Sequence, residues 1–199
     1  AIVEVCGFND YLLKLLAEYG CREIVLIQPQ KRERKKTDRC DARKLRELLW
    51  SNRGRLLEGK RPAGLRRVRI VSAQEAADRQ LTALRKRLAE TRTRSINKVH
   101  HILLKHNLQH DCPTKGIKTV RARKWLNELS LPEIDRLEME VLLKQGEFLD
   151  GQLEPVDEQI RQRQSQVPAA ATIASIPGIS AFGSLTISSR LGSVEYFPR

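Results

Sequence analysis

The sequence predicts an α/β domain in the N-terminal part, then a long helical hairpin, then the start of a small α-helical domain. Three observations predict this order. Two β-branched stretches flank a short amphipathic helix, the stretch from about residue 73 to 108 contains no proline or glycine, and a Pro-Gly turn joins two short helical stretches near the C-terminal end. The expected domains are residues 1–72, 73–167 and 168–199.

The N-terminal segment has the pattern of a strand, a helix and a second strand. Residues 1–6 are typical of a buried strand, Asn9 or Asp10 can cap the following helix, and Gly20 is a natural stop for it. The stretch "EIVLIQP" then reads as a second buried strand. Short connections of this kind indicate a βαβ unit with parallel strands, which predicts an α/β layer.

The next helix is expected to begin at Thr37 or Asp38, either of which can act as its N-cap. Its apolar positions are Ala42, Leu45, Leu48 and Leu49. Residues that break helices follow at Gly54, Gly59, Pro62 and Gly64. The stretch "VRIVS" then predicts a short extension before the long helix.

Two long helical stretches follow, separated by "DCPTKG". The first repeats apolar residues at Ala77, Leu81, Leu84 and Leu88. The second, from Pro132 to Val167, repeats them at Ile134, Leu137, Val141, Phe148, Val156 and Ile160, and Pro155 predicts a kink. The two stretches could pack on each other as an antiparallel hairpin, or they could form a surface for dimerisation.

The C-terminal stretch "TIASIPGISAFGSLTISSRLG" predicts a helix, a tight Pro-Gly turn and a second helix. Its I-P-G-I-x-x-x-G pattern resembles the helix-hairpin-helix element, in which backbone N–H groups at a helix N-terminus approach a phosphate. Gly178 and Ser180 are the nucleic-acid contacts that this pattern predicts. The alternative is a plain helical turn in a small α domain.

Charge is unevenly distributed along a chain whose formal net charge is +13. Residues 31–69 carry 16 positive and 5 negative charges, residues 79–124 carry 13 and 2, and residues 125–160 carry 2 and 10. Two basic blocks beside an acidic one favour a nucleic-acid partner over a merely solvated surface or a membrane. The expected phosphate contacts in these blocks are Lys31, Arg32, Arg34, Lys35, Lys36, Arg39, Arg85, Lys86, Arg87, Arg92, Arg94 and Lys98.

Three acids stand out against this basic background. Asp38 and Asp41 lie three residues apart at the start of a predicted helix, where capping and ion pairing would explain one acid more easily than two. Glu4 ends an apolar strand, where a charge is costly unless it is paired or binds a metal. The three carboxylates together predict a site for Mg²⁺ or Mn²⁺ beside a groove that holds phosphates.

Four stretches, in their order along the chain, carry a resemblance to a known family: "VEVCGFNDYLLKLLAEYG", "VLIQP", "KTDRCDARKLRELL" and "SIPGISAFGSLTISSRLGSVEYF". They resemble the insertion-sequence one-ten family of transposases, which are Piv-like DEDD enzymes. The resemblance implies an α/β RNase H-like (RuvC-like) domain, incomplete at its N-terminus, followed by a coiled-coil insert and a C-terminal transposase domain. It also implies transfer of DNA strands by a metal site and a serine nucleophile, guidance by a structured RNA, and a prokaryotic source. The four scattered cysteines, which form no C-x-x-C pair, are typical of reduced thiols and predict a cytoplasmic location.

Carried over by motif, the resemblance makes Glu4, Asp38 and Asp41 three of the four metal carboxylates. The first aspartate is expected upstream of residue 1 and the nucleophilic serine downstream of residue 199, so the chain is expected to be an internal fragment, inactive alone. Strand exchange needs two active sites, which implies a homodimer or a tetramer. A Holliday-junction-type nuclease and a non-catalytic nucleic-acid-binding remnant remain the alternatives.

Overall fold

The computed structural model describes residues 1–6, 9–21, 23–28, 38–60 and 62–192, without the side chain of Asp38. Its elements are β1 (Ile2–Glu4), α1 (Asn9–Glu18), β2 (Val25–Ile27), α2 (Asp38–Leu57), α3 (Ala73–Lys105), α4 (Val120–Glu128), α5 (Glu133–Gln166), α6 (Pro168–Ala174) and α7 (Ala181–Leu191). The chain divides into two compact units, Ala1–Val71 and Ser72–Arg199.

The first unit contains the predicted βαβ arrangement, with β1 and β2 paired in parallel so that Glu4 lies opposite Ile27. Gly20 ends the α1 turn with a φ of 78°, a left-handed conformation that glycine adopts without strain. A third extended segment lies along β2, where the Val68 N–H donates to the Leu26 carbonyl at 2.7 Å. Helix α2 contacts β1. The βαβ prediction is therefore confirmed.

The wider α/β expectation is wrong. The described residues are mostly helical, and their sheet has two parallel strands of three residues each, which is not an α/β RNase H-like domain. The physical reason is visible in the sequence after residue 37, where apolar residues recur at helical rather than alternating spacing. Gly54, expected to break the chain, lies inside α2, because a single glycine only weakens a helix by about 1 kcal/mol.

The second unit is built on α3 and α5, which pack against each other as an antiparallel hairpin within the chain. Helix α3 begins at a capping box in which Ser72 Oγ accepts from the Glu75 N–H and the Glu75 carboxylate accepts from the Ser72 N–H. Helix α5 continues through Pro155 without ending. The short helix α4 was not predicted; Thr119 caps it, and it buries Ala122 and Leu126.

The buried face of the hairpin differs from the predicted one. The core of this part consists of Val99, Ile102, Leu103, Ile117, Leu126, Met139, Leu142 and Leu143. The predicted stripe on α5 faces outward over much of its length, since Ile134 is 71% exposed and Phe148 is 65% exposed. Helix α5 carries two apolar stripes, and the stripe centred on Met139 and Leu142 is the one covered by α3 and α4. A single-helix pattern cannot choose between them.

Helices α6 and α7 pack on the other half of the hairpin. Ile160, Ala170 and Leu185 form a second small core there. The inner face of α7 also buries serines, including Ser184 and Ser188, whose hydroxyls donate to carbonyl oxygens three residues earlier in the helix. Small side chains of this kind let α7 approach its neighbours closely. Among the described residues, no helix combines the length and apolar character needed to cross a membrane.

Candidate nucleic-acid interface

Two of the predicted phosphate contacts are used inside the hairpin. Arg85 Nε lies 2.9 Å from Asp157 Oδ1, and Arg92 Nη1 lies 2.8 Å from Asp150 Oδ1. Burial alone would raise the pKa of Asp150, but the hydrogen bond from Arg92 and the charge of Lys118 outweigh it, and the pKa is lowered. The acidic arm therefore neutralises part of the basic arm.

Other cations of α3 point away from α5. Arg87, Arg94 and Lys98 are exposed and form no ion pair within the described part of the chain. At 100° per residue they lie within roughly 40° of one another around the helix and span about 17 Å along it. Lys86, on a neighbouring strip, is 3.8 Å from Glu90. The three unpaired cations form a row that we call the α3 cation row.

A shallow groove of about 370 Å³ lies between α3 and α7, beside this row. Its lining consists of Arg85, Lys86, Ala89, Glu90, Thr93, Arg94 and Phe182. The Arg85 guanidinium carbon is 4.8 Å from the centre of the Phe182 ring, a cation–π distance. Arg94 is the cation of this lining without an acidic partner among the described residues, and such a cation near an aromatic ring suits a nucleic acid, whose phosphates need cations and whose bases need a flat surface.

The Pro-Gly turn leads directly into this groove. Gly178 adopts a φ of 87°, and Ser180 caps α7 by accepting the Gly183 N–H at 3.1 Å. Phe182 is the second residue of α7, so the groove lies against the start of the helix that the helix-hairpin-helix pattern predicts to face a phosphate. Gly183 packs closely at this cap, since a Cβ there would lie in van der Waals contact with Ile179 Cγ2 at 3.4 Å and with Ser180 Oγ at 3.5 Å.

The predicted carboxylates lie in the first unit. Glu4 ends β1 and is half-buried, Asp38 begins α2, and Asp41 is half-buried in the first turn of that helix. Because α2 contacts β1, the two elements that carry these acids are neighbours. The described residues contain no group of three side chains placed to hold a metal ion; the predicted set includes Asp38, whose side chain is not among those described.

The remaining predicted phosphate contacts fall into two groups. Lys31, Arg32, Arg34, Lys35 and Lys36 lie outside the described residues, and Arg39 is exposed in the first turn of α2. Sequence reasoning missed Phe182, although an aromatic residue two positions after the α7 cap was a readable signal.

Compared with known proteins, the sequence matches no family model, and no curated protein matches it either. The candidate interface therefore depends on the geometry of its own residues.

Proposed function

We propose that this chain is part of an enzyme that breaks and rejoins DNA strands, a transposase or site-specific recombinase, and that its helical unit binds the DNA backbone. The observation that carries the binding proposal is the α3 cation row beside the groove at Phe182. A phosphate-binding surface requires cations that are not already paired with acids. The α3 cation row meets this requirement, whereas the neighbouring Arg85 and Arg92 are neutralised by acids of α5.

The strand-transfer part of the proposal is supported by the resemblance of the sequence to the insertion-sequence one-ten transposases. The carboxylates of Glu4, Asp38 and Asp41 are of the type that holds Mg²⁺ or Mn²⁺, and all three belong to two contacting elements, β1 and α2. A bound divalent ion would supply charge stabilisation at a phosphodiester. The resemblance also implies a nucleophilic serine, a fourth carboxylate and a structured guide RNA as further parts of this reaction.

This function implies an assembly in the prokaryotic cytoplasm with at least two copies of the chain, because exchange of strands requires two active sites. The residues of this chain would then have separate tasks. The α3 cation row would hold the backbone, and the acids near β1 would hold the ion. Such a division predicts that binding and catalysis can be lost independently.

Binding is tested by fluorescence anisotropy of a labelled DNA duplex at several salt concentrations. Replacing Arg87, Arg94 and Lys98 by alanine should weaken binding and reduce the slope of log K against log salt by about 2 to 3, since each lost phosphate contact removes close to one unit. The control variant replaces Arg121, Lys124 and Lys144, which are also exposed, and removes the same charge. Equal weakening by both variants would show that only bulk charge matters.

Catalysis is tested in the reading frame that contains this chain with its flanking sequence. Asp41→Ala should abolish strand transfer while duplex binding is kept, because the acid serves the ion and not the backbone. Alanine at Arg87 and Arg94 should give the reverse pattern, weak binding with turnover that recovers at high DNA concentration. A fully active Asp41→Ala enzyme would overturn the strand-transfer proposal.

A further inference from the structure

The outward face of α2 carries a set of residues that the functions above do not use. Helix α2 places the half-buried Leu45 and Leu48 and the buried Asn52 on its inner face, where the Asn52 amide oxygen accepts the Ala63 N–H at 2.7 Å. The opposite face is exposed and carries Arg39, Arg43, Arg46, Trp50, Arg53 and Leu57. At 100° per residue the four arginines and Trp50 lie within about 80° of one another.

Trp50 is the centre of this face. Its side chain is 68% exposed, and the Arg53 guanidinium carbon lies 4.2 Å from its ring centre. An open groove of about 510 Å³ adjoins it, lined by Arg46, Glu47, Leu49 and Trp50. Exposure of a large aromatic surface to water is unfavourable. The Arg53 guanidinium, stacked on the Trp50 ring, adds positive charge to this flat surface.

The charge of the helix identifies the occupant. Arg39, Arg43, Arg46 and Arg53 lie along about 21 Å of the exposed face, and Glu47 is the acidic side chain beside them. A row of cations that follows a backbone, interrupted by one aromatic ring, is the arrangement by which proteins bind single strands: phosphates lie on the cations and a base stacks on the ring.

We propose that the α2 face binds a single-stranded nucleic acid, with an unpaired base stacked on Trp50 and phosphates on the flanking arginines. This site is distinct from the α3 cation row, and it deepens the proposed function, on which it rests: an enzyme that exchanges strands must hold a displaced or unpaired strand as well as a duplex. A base within a duplex cannot reach an indole ring on a convex helix, so the site selects unpaired nucleotides.

The test follows Trp50 fluorescence during titration with a 12-nucleotide oligothymidine, an abasic strand of equal length and charge, and a 12-base-pair duplex. Oligothymidine should quench the emission and the abasic strand should not, and Trp50→Phe should remove the quenched signal, which separates Trp50 from Trp125. Trp50→Ala should weaken oligothymidine binding about tenfold, the loss of one stacked base, and leave duplex affinity unchanged. Tyr11→Ala, which removes an exposed aromatic side chain of α1 rather than of the α2 face, is the matched control and should bind like the wild type.

The outcomes separate the two proposals. Duplex binding that depends on Arg87 and Arg94, with oligothymidine binding unaffected by Trp50→Ala, overturns the α2 site and leaves the proposed function standing. Oligothymidine binding that depends on Trp50, together with duplex binding that does not depend on the α3 cation row, overturns the proposed duplex binding and leaves the α2 site standing. If Trp50 emission changed with protein concentration and not with oligothymidine, the α2 face would be a contact between copies of the chain. That result would also overturn the proposed single-strand site.

Discussion

The guanidinium of Arg163 contacts the carboxylate of Asp78 at two points, Nε to Oδ1 at 2.9 Å and Nη2 to Oδ2 at 3.1 Å. This pair joins the start of α3 to the end of α5. Asp78 is buried and the Arg163 side chain is 23% exposed, and the hydrogen bond to Asp78 raises the pKa of Arg163. An ion pair therefore joins the two helices at the open end of the hairpin, next to the small core around Ile160.

Asp78→Asn should destabilise the helical unit by about 3 kcal/mol, because it leaves the Arg163 charge partly buried without its partner. Urea unfolding followed by circular dichroism at the helical wavelength measures this change. Arg161→Ala is the control, since it removes an arginine of the same helix whose ion pair with Glu158 is exposed on both sides. A loss no larger than that of the control would show that the Asp78 pair is not a structural contact.

Acid should weaken the helical unit through Asp135. Hydrogen bonds from Lys105 and His106 lower the pKa of this carboxyl, with Asp135 Oδ2 lying 2.8 Å from Lys105 Nζ and 2.7 Å from His106 Nε2. A lowered folded-state pKa means that the stabilisation is present above the ordinary aspartate pKa of about 4 and is lost as pH falls through the folded value.

The free energy of unfolding, measured from pH 6 downward, should therefore fall more steeply in the wild type than in Asp135→Asn. Glu138→Gln, an exposed change in the same helix, should keep the wild-type slope. Identical slopes for the wild type and Asp135→Asn would contradict the assigned role of the Lys105 and His106 contacts.

Gly146→Ala should stabilise the helical unit by about 0.5 to 1 kcal/mol. Gly146 lies buried inside α5, and a Cβ built there would have no heavy atom within 4 Å beyond its local neighbours, so alanine gains helix propensity without a clash. The residue also lines a small cavity, of about 20 Å³, that a methyl group would help to fill. Thermal unfolding would compare it with Gly151→Ala, which gains helix propensity on the exposed face of the same helix. A melting temperature of Gly146→Ala below that of the wild type would show that the site has no room for a methyl group.

The choice of core face can be tested directly. Leu103→Ala should cost about 3 kcal/mol, because its side chain is 1% exposed and truncation leaves a cavity among Val99, Met139 and their neighbours. Leu137→Ala, on the apolar stripe that faces outward and 58% exposed, should change stability by less than about 0.5 kcal/mol. The two free energies of unfolding, measured in urea, would be reversed if the stripe predicted from the sequence were the core.

Local signals in the sequence determined most elements of this protein, although α4 was not among those predicted. The β-branched stretches around α1 were enough to predict the parallel βαβ unit, and the absence of proline and glycine after the Ser72 cap was enough to predict α3. These features depend on neighbours within a few residues along the chain, which is why the pattern of residues carries them.

Only the tertiary structure decided which faces are used. Arg85 and Arg87 are two residues apart and look alike in the sequence, yet Arg85 pairs with Asp157, 72 residues away, while Arg87 is exposed. Likewise the burial of Met139 rather than Leu137, and the position of Phe182 beside α3, depend on how α5 and α7 rotate against α3. The reason is physical: burial and ion pairing are set by contacts between distant segments, and a helical pattern with two apolar stripes is compatible with more than one such packing.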